Sequence, residues 1–242
     1  MIKKVEGIVI SETDYKESSK IINILTKDEG IIGVIARGSK NLKSKTSGVG
    51  RLTYGYFHLN YRDNLSSLIE VDVINNLKNT KKDLMKISYA TFISELVGQT
   101  YKHSHDKNIY LLFRDSLLKI EEGFDPVVIT NILELKLLDF LGIRPVVDSC
   151  VSCGNTNNIV TISSYKGGYL CENCITNEAL VTLKTIKLIR MFYYVDIAKI
   201  SKIEIGEQVK KEINCFIDEY YDRYSGLYLK SKEFLGNINN FC

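Results

Sequence analysis

Apolar positions recur with two different periods along this chain. Up to about residue 75 the runs Val5 to Ser11, Lys20 to Thr26 and Gly30 to Ala36 are short and rich in Ile and Val, a composition suited to pleated, half-buried strands. Leu52 to Tyr61 alternates. Thr53, Gly55, Phe57, Leu59 and Tyr61 fall on one face, and Tyr54, Tyr56, His58 and Asn60 on the other, because successive strand side chains point to opposite sides. Phe57 and Leu59 are expected inside, which leaves Tyr54 and Tyr56 as the better candidates for the solvent face, with packing in the barrel or against the helical domain the alternative for either one. A turn at Arg62-Asp63-Asn64 precedes a fifth strand at Ser67 to Ile74, and Asp28-Glu29-Gly30 connects the second strand tightly to the third. Five short strands, a glycine inside the third (Gly33) that permits a bend, and one long connection predict a small closed barrel of OB type.

The period changes at Thr80. Thr80-x-x-Asp83 has the form of a capping box, and Leu84, Ile87, Ser88, Thr91, Phe92, Glu95 and Leu96 follow at helical spacing. A second helix is expected from Lys107 to Glu121. Asp125-Pro126 provides a cap followed by proline at the first helical position, and the apolar run Ile132 to Leu141 stops at Gly142 with Pro145 beyond. Such a run predicts a deeply buried helix. Leu183 to Val195 and Gly206 to Tyr224 complete the helical set, the last with Val209, Ile213, Phe216, Ile217, Tyr220 and Tyr224 on one side. The chain therefore reads as α+β: a five-stranded OB-type barrel over residues 1–79, then an α-helical domain over 80–242 with an insert at 147–178.

That insert carries the most specific chemistry. Cys150, Cys153, Cys171 and Cys174 form a C-x2-C-x17-C-x2-C array, a spacing that fits one structural zinc ion held by four thiolates. Two residues between cysteines let a tight turn aim two sulfurs at one metal. The first knuckle continues into Gly154-Asn155, where the backbone needs positive φ. The second, Cys171-Glu172-Asn173-Cys174-Ile175, lacks that glycine, so Ile175 must tolerate the conformation or the turn has another shape. Ile159 to Ser163 and Gly168 to Leu170 are expected as short strands of a ribbon. A metal-free relic and thiol redox chemistry are the alternatives. With four protein ligands no open position remains for an activated water, so catalysis at the metal is not expected.

Charge changes the picture in one place. Residues 1–80 hold 12 Lys and Arg against 9 Asp and Glu, and so carry the entire net charge of +3. Within them Arg37, Lys40, Lys43, Lys45 and Arg51 occur with no acidic residue between them, a local field that favours a polyanion. Tyr54 and Tyr56 lie close by, and a cationic groove beside aromatic faces is how OB barrels hold single-stranded nucleic acid. The Gly and Ser content of the stretch predicts a loop without fixed order in the absence of a partner. With 45% hydrophobic residues and two prolines the chain can bury a real core. No apolar run approaches about 18 residues and no signal segment opens the sequence, so a soluble, cytoplasmic protein is expected. Cys215 and Cys242 stand apart from the array. His103 and His105 are two apart and share no helical face, so they read as solvated. No G-x-x-x-x-G-K-[ST] sequence is present, and no nucleotide-hydrolysing site is expected.

Glu6-Gly-Ile-Val-Ile10, Tyr15-Lys-Glu17, Leu25-Thr26 with Gly30, and Ala36-Arg-Gly-Ser-Lys40 resemble the N-terminal domain of the bacterial DNA repair family RecO. Leu138-Asp-Phe-Leu-Gly142 with Pro145, Cys150-x-x-Cys153-Gly154, and Gly167-Gly168-x-Leu170-Cys171 resemble that family's helical domain and its zinc insert. The likeness spans nearly the whole chain in the expected order. It implies a recombination mediator rather than an enzyme: a protein that binds single-stranded and double-stranded DNA, anneals complementary strands, and works with RecR to load RecA on strands coated by single-stranded-DNA-binding protein. It also implies that the helical domain receives the acidic, apolar C-terminal tail of that coat protein. Lys136 and Arg144, flanking the buried helix, and Lys187 and Arg190 further on are the candidate contacts. The competing readings are a zinc-stabilised protein-interaction scaffold without a direct nucleic-acid role, a C-x-x-C oxidoreductase, and a generic zinc-ribbon transcription or translation factor.

Overall fold

The structure is a computed structural model and describes residues 1–41, 43–232 and 235; the terminal Cys242 lies outside the described residues. Five strands, β1 (Ile2–Tyr15), β2 (Ser19–Thr26), β3 (Ile31–Ala36), β4 (Tyr54–Asn60) and β5 (Ser66–Asn75), close into a barrel in the order β1-β2-β3-β5-β4. All neighbours are antiparallel except β3 and β5, which pair in parallel at Val34 with Ser66 and Ile35 with Ser67. This is the OB-type closure expected from the strand pattern. Val5, Val9, Ile22, Ile24, Ile32, Val34, Phe57, Leu59 and Leu68 fill the interior. Burying each side chain of this size contributes about 1.5–3 kcal/mol. Gly33 does not supply the bend: it pairs in unbroken register with Asn23. The irregularities are instead a register shift in β1 between Val9 and Ser11, and two along β4–β5, which is how an extra residue bends a strand.

Helices α1 (Lys78–Lys82), α2 (Leu84–Ser104) and α3 (Asn108–Glu122) follow the barrel. The capping box is displaced. Thr80 is buried inside α1, its hydroxyl and backbone N–H both donating to Glu121, while Asp83 caps α2 by accepting from the Lys86 N–H at 3.0 Å. A first compact unit runs to Gly123. It therefore extends past residue 79, where strands give way to helices, because α2 packs on β1 and α3 packs on α1 and α2.

The second unit begins at Phe124. In it α4 (Pro126–Phe140) is capped by Asp125, packs against α5 (Leu183–Tyr194) and α6 (Glu207–Tyr224), and is buried on nearly all sides. A helix apolar all round belongs in a core. On α6 the buried stripe includes Tyr221, whose hydroxyl donates to the Glu134 carbonyl at 2.9 Å, whereas Tyr224 is exposed. Between α4 and α5 the chain forms a two-stranded ribbon, β6 (Ile159–Ser163) with β7 (Gly168–Cys171). Gly168 has a steric reason to be glycine: a Cβ there would lie 2.3 Å from the Val146 carbonyl oxygen, in the parallel bridge that ties the segment after α4 to β7.

Candidate nucleic-acid interface and metal centre

The connection from β3 to β4 is a folded loop rather than an unstructured one. The Thr46 hydroxyl donates to the Arg37 carbonyl at 2.6 Å and shares a 2.8 Å hydrogen bond with Ser44. The Lys40 N–H donates to the Ser18 carbonyl, and the Gly48 N–H to that of Ser39. Val49 is buried in the barrel core and anchors the return. Glycine and serine here make specific turns, so the composition that suggested disorder instead supplies short side-chain-to-backbone bonds.

Arg37, Lys40, Lys43 and Lys45 are exposed on this loop, and Arg51 is half-buried, its N–H donating to Glu12 Oε2 at 2.9 Å. Two of the five cations meet carboxylates delivered by the barrel: Lys40 lies 3.0 Å from Asp14 and Lys45 3.6 Å from Glu70. Arg37, Lys43 and Arg51 have no ion-pair partner among the described residues. Exposed pairs of this kind contribute about 0–1 kcal/mol each, so a phosphate can displace either carboxylate at small cost.

The two tyrosines part company. Tyr56 is 37% exposed, with Lys4 Nζ 4.8 Å from its ring centroid. Tyr54, expected beside it in solvent, is buried. Its hydroxyl donates to Glu6 Oε1 at 2.9 Å, and Tyr110 on α3 donates to the same oxygen at 3.0 Å. Burial first, and then the Glu6 carboxylate, push the Tyr54 phenol up to about 12. Its ring therefore offers no face for a base. Sequence reading passed over the ion-pair cluster on the outer barrel wall beside Tyr56. There Asp72 is 2.9 Å from His58 Nε2 and 3.2 Å from Lys4, and those hydrogen bonds, His58 first, hold its carboxyl below the usual range. The i, i+2 spacing of Tyr56 and His58 was the available signal; the cross-strand partner Asp72 was not visible.

In the second unit the four array cysteines come together, their sulfurs within 4.8 Å of one another and Cys153 and Cys171 at 3.6 Å. Four sulfurs at about 2.3 Å from one ion stand about 3.8 Å apart in a tetrahedron, so the cluster is close enough to bind a metal ion. Gly154 adopts φ 75° as expected, its N–H donating to the Cys150 carbonyl at 2.8 Å, whereas Asn155 is not among the positive-φ residues. The second knuckle has another shape: Ile175 is not among the positive-φ residues, and its N–H and that of Cys174 both donate to the Cys171 carbonyl. Cys150 and Cys171 are buried with Leu170, while Cys153 is exposed. Burial opposes ionisation of Cys150, but N–H groups of Cys171, Cys153 and Ser152 prevail and lower its thiol to about 6, whereas hydrogen bonds among the sulfurs push Cys174 up to about 12 and Cys153 upward as well.

The remaining cations are less free than their sequence suggests. Lys136 is half-buried and donates to the Tyr193 carbonyl at 2.8 Å, closing the end of α5; burial lowers its pKa. Arg144 and Arg190 both approach Asp148, at 3.7 and 3.1 Å. Lys187 is exposed.

Two family models match the chain: Recombination protein O N terminal over residues 1–77 and Recombination protein O C terminal over residues 81–233. Proteins named DNA repair protein RecO from Listeria innocua (36% identical), Bacillus pumilus (34%) and Halalkalibacterium halodurans (34%) align with 99% of this chain and 96% of their own lengths. No helix among the described residues is long and apolar enough to cross a membrane. With a closed N-terminal barrel, a four-cysteine centre and both family models in chain order, this chain belongs to the RecO family of DNA repair proteins.

Proposed function

We propose that this chain is a non-catalytic recombination mediator that binds single-stranded and double-stranded DNA and anneals complementary strands in DNA repair. The observation that carries this reading is the β3–β4 loop of a closed OB-type barrel, on which Arg37, Lys43 and Arg51 have no ion-pair partner among the described residues. Lys40 and Lys45 stand beside them on weak, displaceable pairs. Strand annealing asks little chemistry of a protein. Cations reduce the repulsion between two phosphate chains, and base pairing supplies the free energy, so no nucleotide need be hydrolysed. Tyr56, with its exposed ring and Lys4 over it, is the stacking candidate; Tyr54 is not.

The metal proposed at Cys150, Cys153, Cys171 and Cys174 is one structural zinc ion. Soft thiolates at this spacing suit it, and its role is to hold the knuckles, the ribbon and the residues they carry. On the helical unit, Arg144, Arg190 and Lys187 are proposed to receive the acidic tail of single-stranded-DNA-binding protein. RecR is the proposed partner in loading RecA, and the cytoplasm, at the nucleoid, the proposed location. Annealing of naked complementary oligonucleotides without nucleotide tests the central reading: acceleration by the protein, weakened in Arg37→Ala/Lys43→Ala, is expected. Binding without acceleration would contradict the annealing role, and neither binding nor acceleration would favour the scaffold reading.

A further inference from the structure

Arg144 and Arg190 do not stand as unpaired cations. Arg190 Nε lies 3.1 Å from Asp148 Oδ1, Arg144 Nη2 lies 3.7 Å from Oδ2, and the Tyr194 hydroxyl donates to Oδ2 at 2.5 Å. Arg144 Nη2 also donates to the Tyr194 hydroxyl at 3.1 Å, and its guanidinium sits 5.0 Å from the centre of the Tyr193 ring. One carboxylate thus occupies a seat built from two guanidinium groups and a phenol. It is delivered by the metal insert: Val147 is buried, Val146 exchanges hydrogen bonds with Gly167 and Tyr169, and Cys150 follows two residues later.

We propose that Asp148 is a built-in occupant of this anion seat, standing where the carboxylate of an acidic partner peptide binds, so that the peptide must displace it. The proposal rests on the reading that Arg144 and Arg190 receive an acidic tail. Three features favour displacement over a permanent lock. The pairs are exposed, with side-chain exposures of 46% for Asp148, 55% for Arg144 and 61% for Arg190, where each pair is worth about 0–1 kcal/mol. The exchange conserves chemistry, since one carboxylate replaces another on the same donors. Exposed Val146 and Met191 lie on the same two segments and give an apolar residue of the incoming peptide a footing that Asp148 does not use. A lone anion gains little over Asp148, whereas a peptide with several carboxylates and an apolar residue gains both kinds of contact. The seat therefore discriminates against small anions, a form of specificity set by an internal competitor.

The test is fluorescence anisotropy of the full chain with a labelled acidic peptide that ends in an apolar residue with a free carboxylate. Asp148→Asn is expected to tighten binding about threefold to tenfold, the range that loss of exposed pairs permits, and Asp148→Ser to move it the same way. Arg144→Ala/Arg190→Ala is expected to lose binding with or without Asp148→Asn. Weaker or unchanged affinity in both Asp148 variants, with the double arginine variant still defective, would overturn the competitor role and leave the tail reading intact. Unchanged binding by the double arginine variant would remove the tail reading and this inference together.

Discussion

Tyr54 and Tyr56 share one face of β4, yet one is structural and the other available. Alternation decides which side of a strand a residue occupies; it does not say what covers that side. Around Tyr54 it is α3, through Tyr110 and the shared Glu6 carboxylate. Tyr54→Phe removes one of those two hydrogen bonds and is expected to cost about 1 kcal/mol in urea denaturation, with oligonucleotide affinity unchanged. Tyr56→Ala is expected to leave stability nearly unchanged and to weaken single-strand binding by about 1–3 kcal/mol if a base stacks there. Equal affinity losses in the two variants would contradict the assignment. Gly168 poses a steric question of the same size. Gly168→Ala pushes a methyl into the Val146 carbonyl and is expected to destabilise the second unit by about 1–3 kcal/mol; an unchanged denaturation midpoint would contradict it.

For the β3–β4 loop, the cations were legible in the sequence and their partners were not. Asp14 and Glu70 come from β1 and β5, distant in sequence and brought near by barrel closure. The consequence can be read in salt titrations of oligonucleotide binding. Each phosphate contact contributes roughly −0.7 to the slope of log affinity against log salt. Lys40→Ala/Lys43→Ala/Lys45→Ala is expected to flatten the slope, with Lys43→Ala alone accounting for a full contact; an unchanged slope would take the loop out of the DNA site. The entry into α1 is a pH-dependent joint. Burial pushes the Glu121 carboxyl up, but N–H and hydroxyl bonds from Asn79 and Thr80 outweigh it and hold the group below the ordinary range. A depressed carboxyl stabilises the fold fully above the unfolded value, about 4.3, and that contribution is lost as pH falls through the folded value. Stability measured from pH 6 downward is expected to fall less steeply in Glu121→Gln; an identical acid limb would contradict this role.

For the molecule as a whole, the order of five strand runs and the cysteine spacing carried the architecture, because a short-stranded sheet and a four-cysteine cluster both leave their pattern in the sequence. The packing of α1–α3 with the barrel was not legible. Helical period shows which face of a helix is apolar, not which element that face meets, so the first unit extends to Gly123 rather than stopping where the strands end. Likewise, Arg144 and Arg190 read as free cations until the insert placed Asp148 on them. The mediator role joins two surfaces, the cationic loop and the arginine seat, and one assay engages both. Complementary strands coated with single-stranded-DNA-binding protein are mixed with this protein and no nucleotide, using coat protein with and without its acidic tail. Annealing faster with the tailed coat than with the tail-less one, and slowed by Arg37→Ala/Lys43→Ala, is the expected result. Annealing unaffected by the protein on tailed coat, from a folded and metal-loaded preparation, would contradict the mediator role.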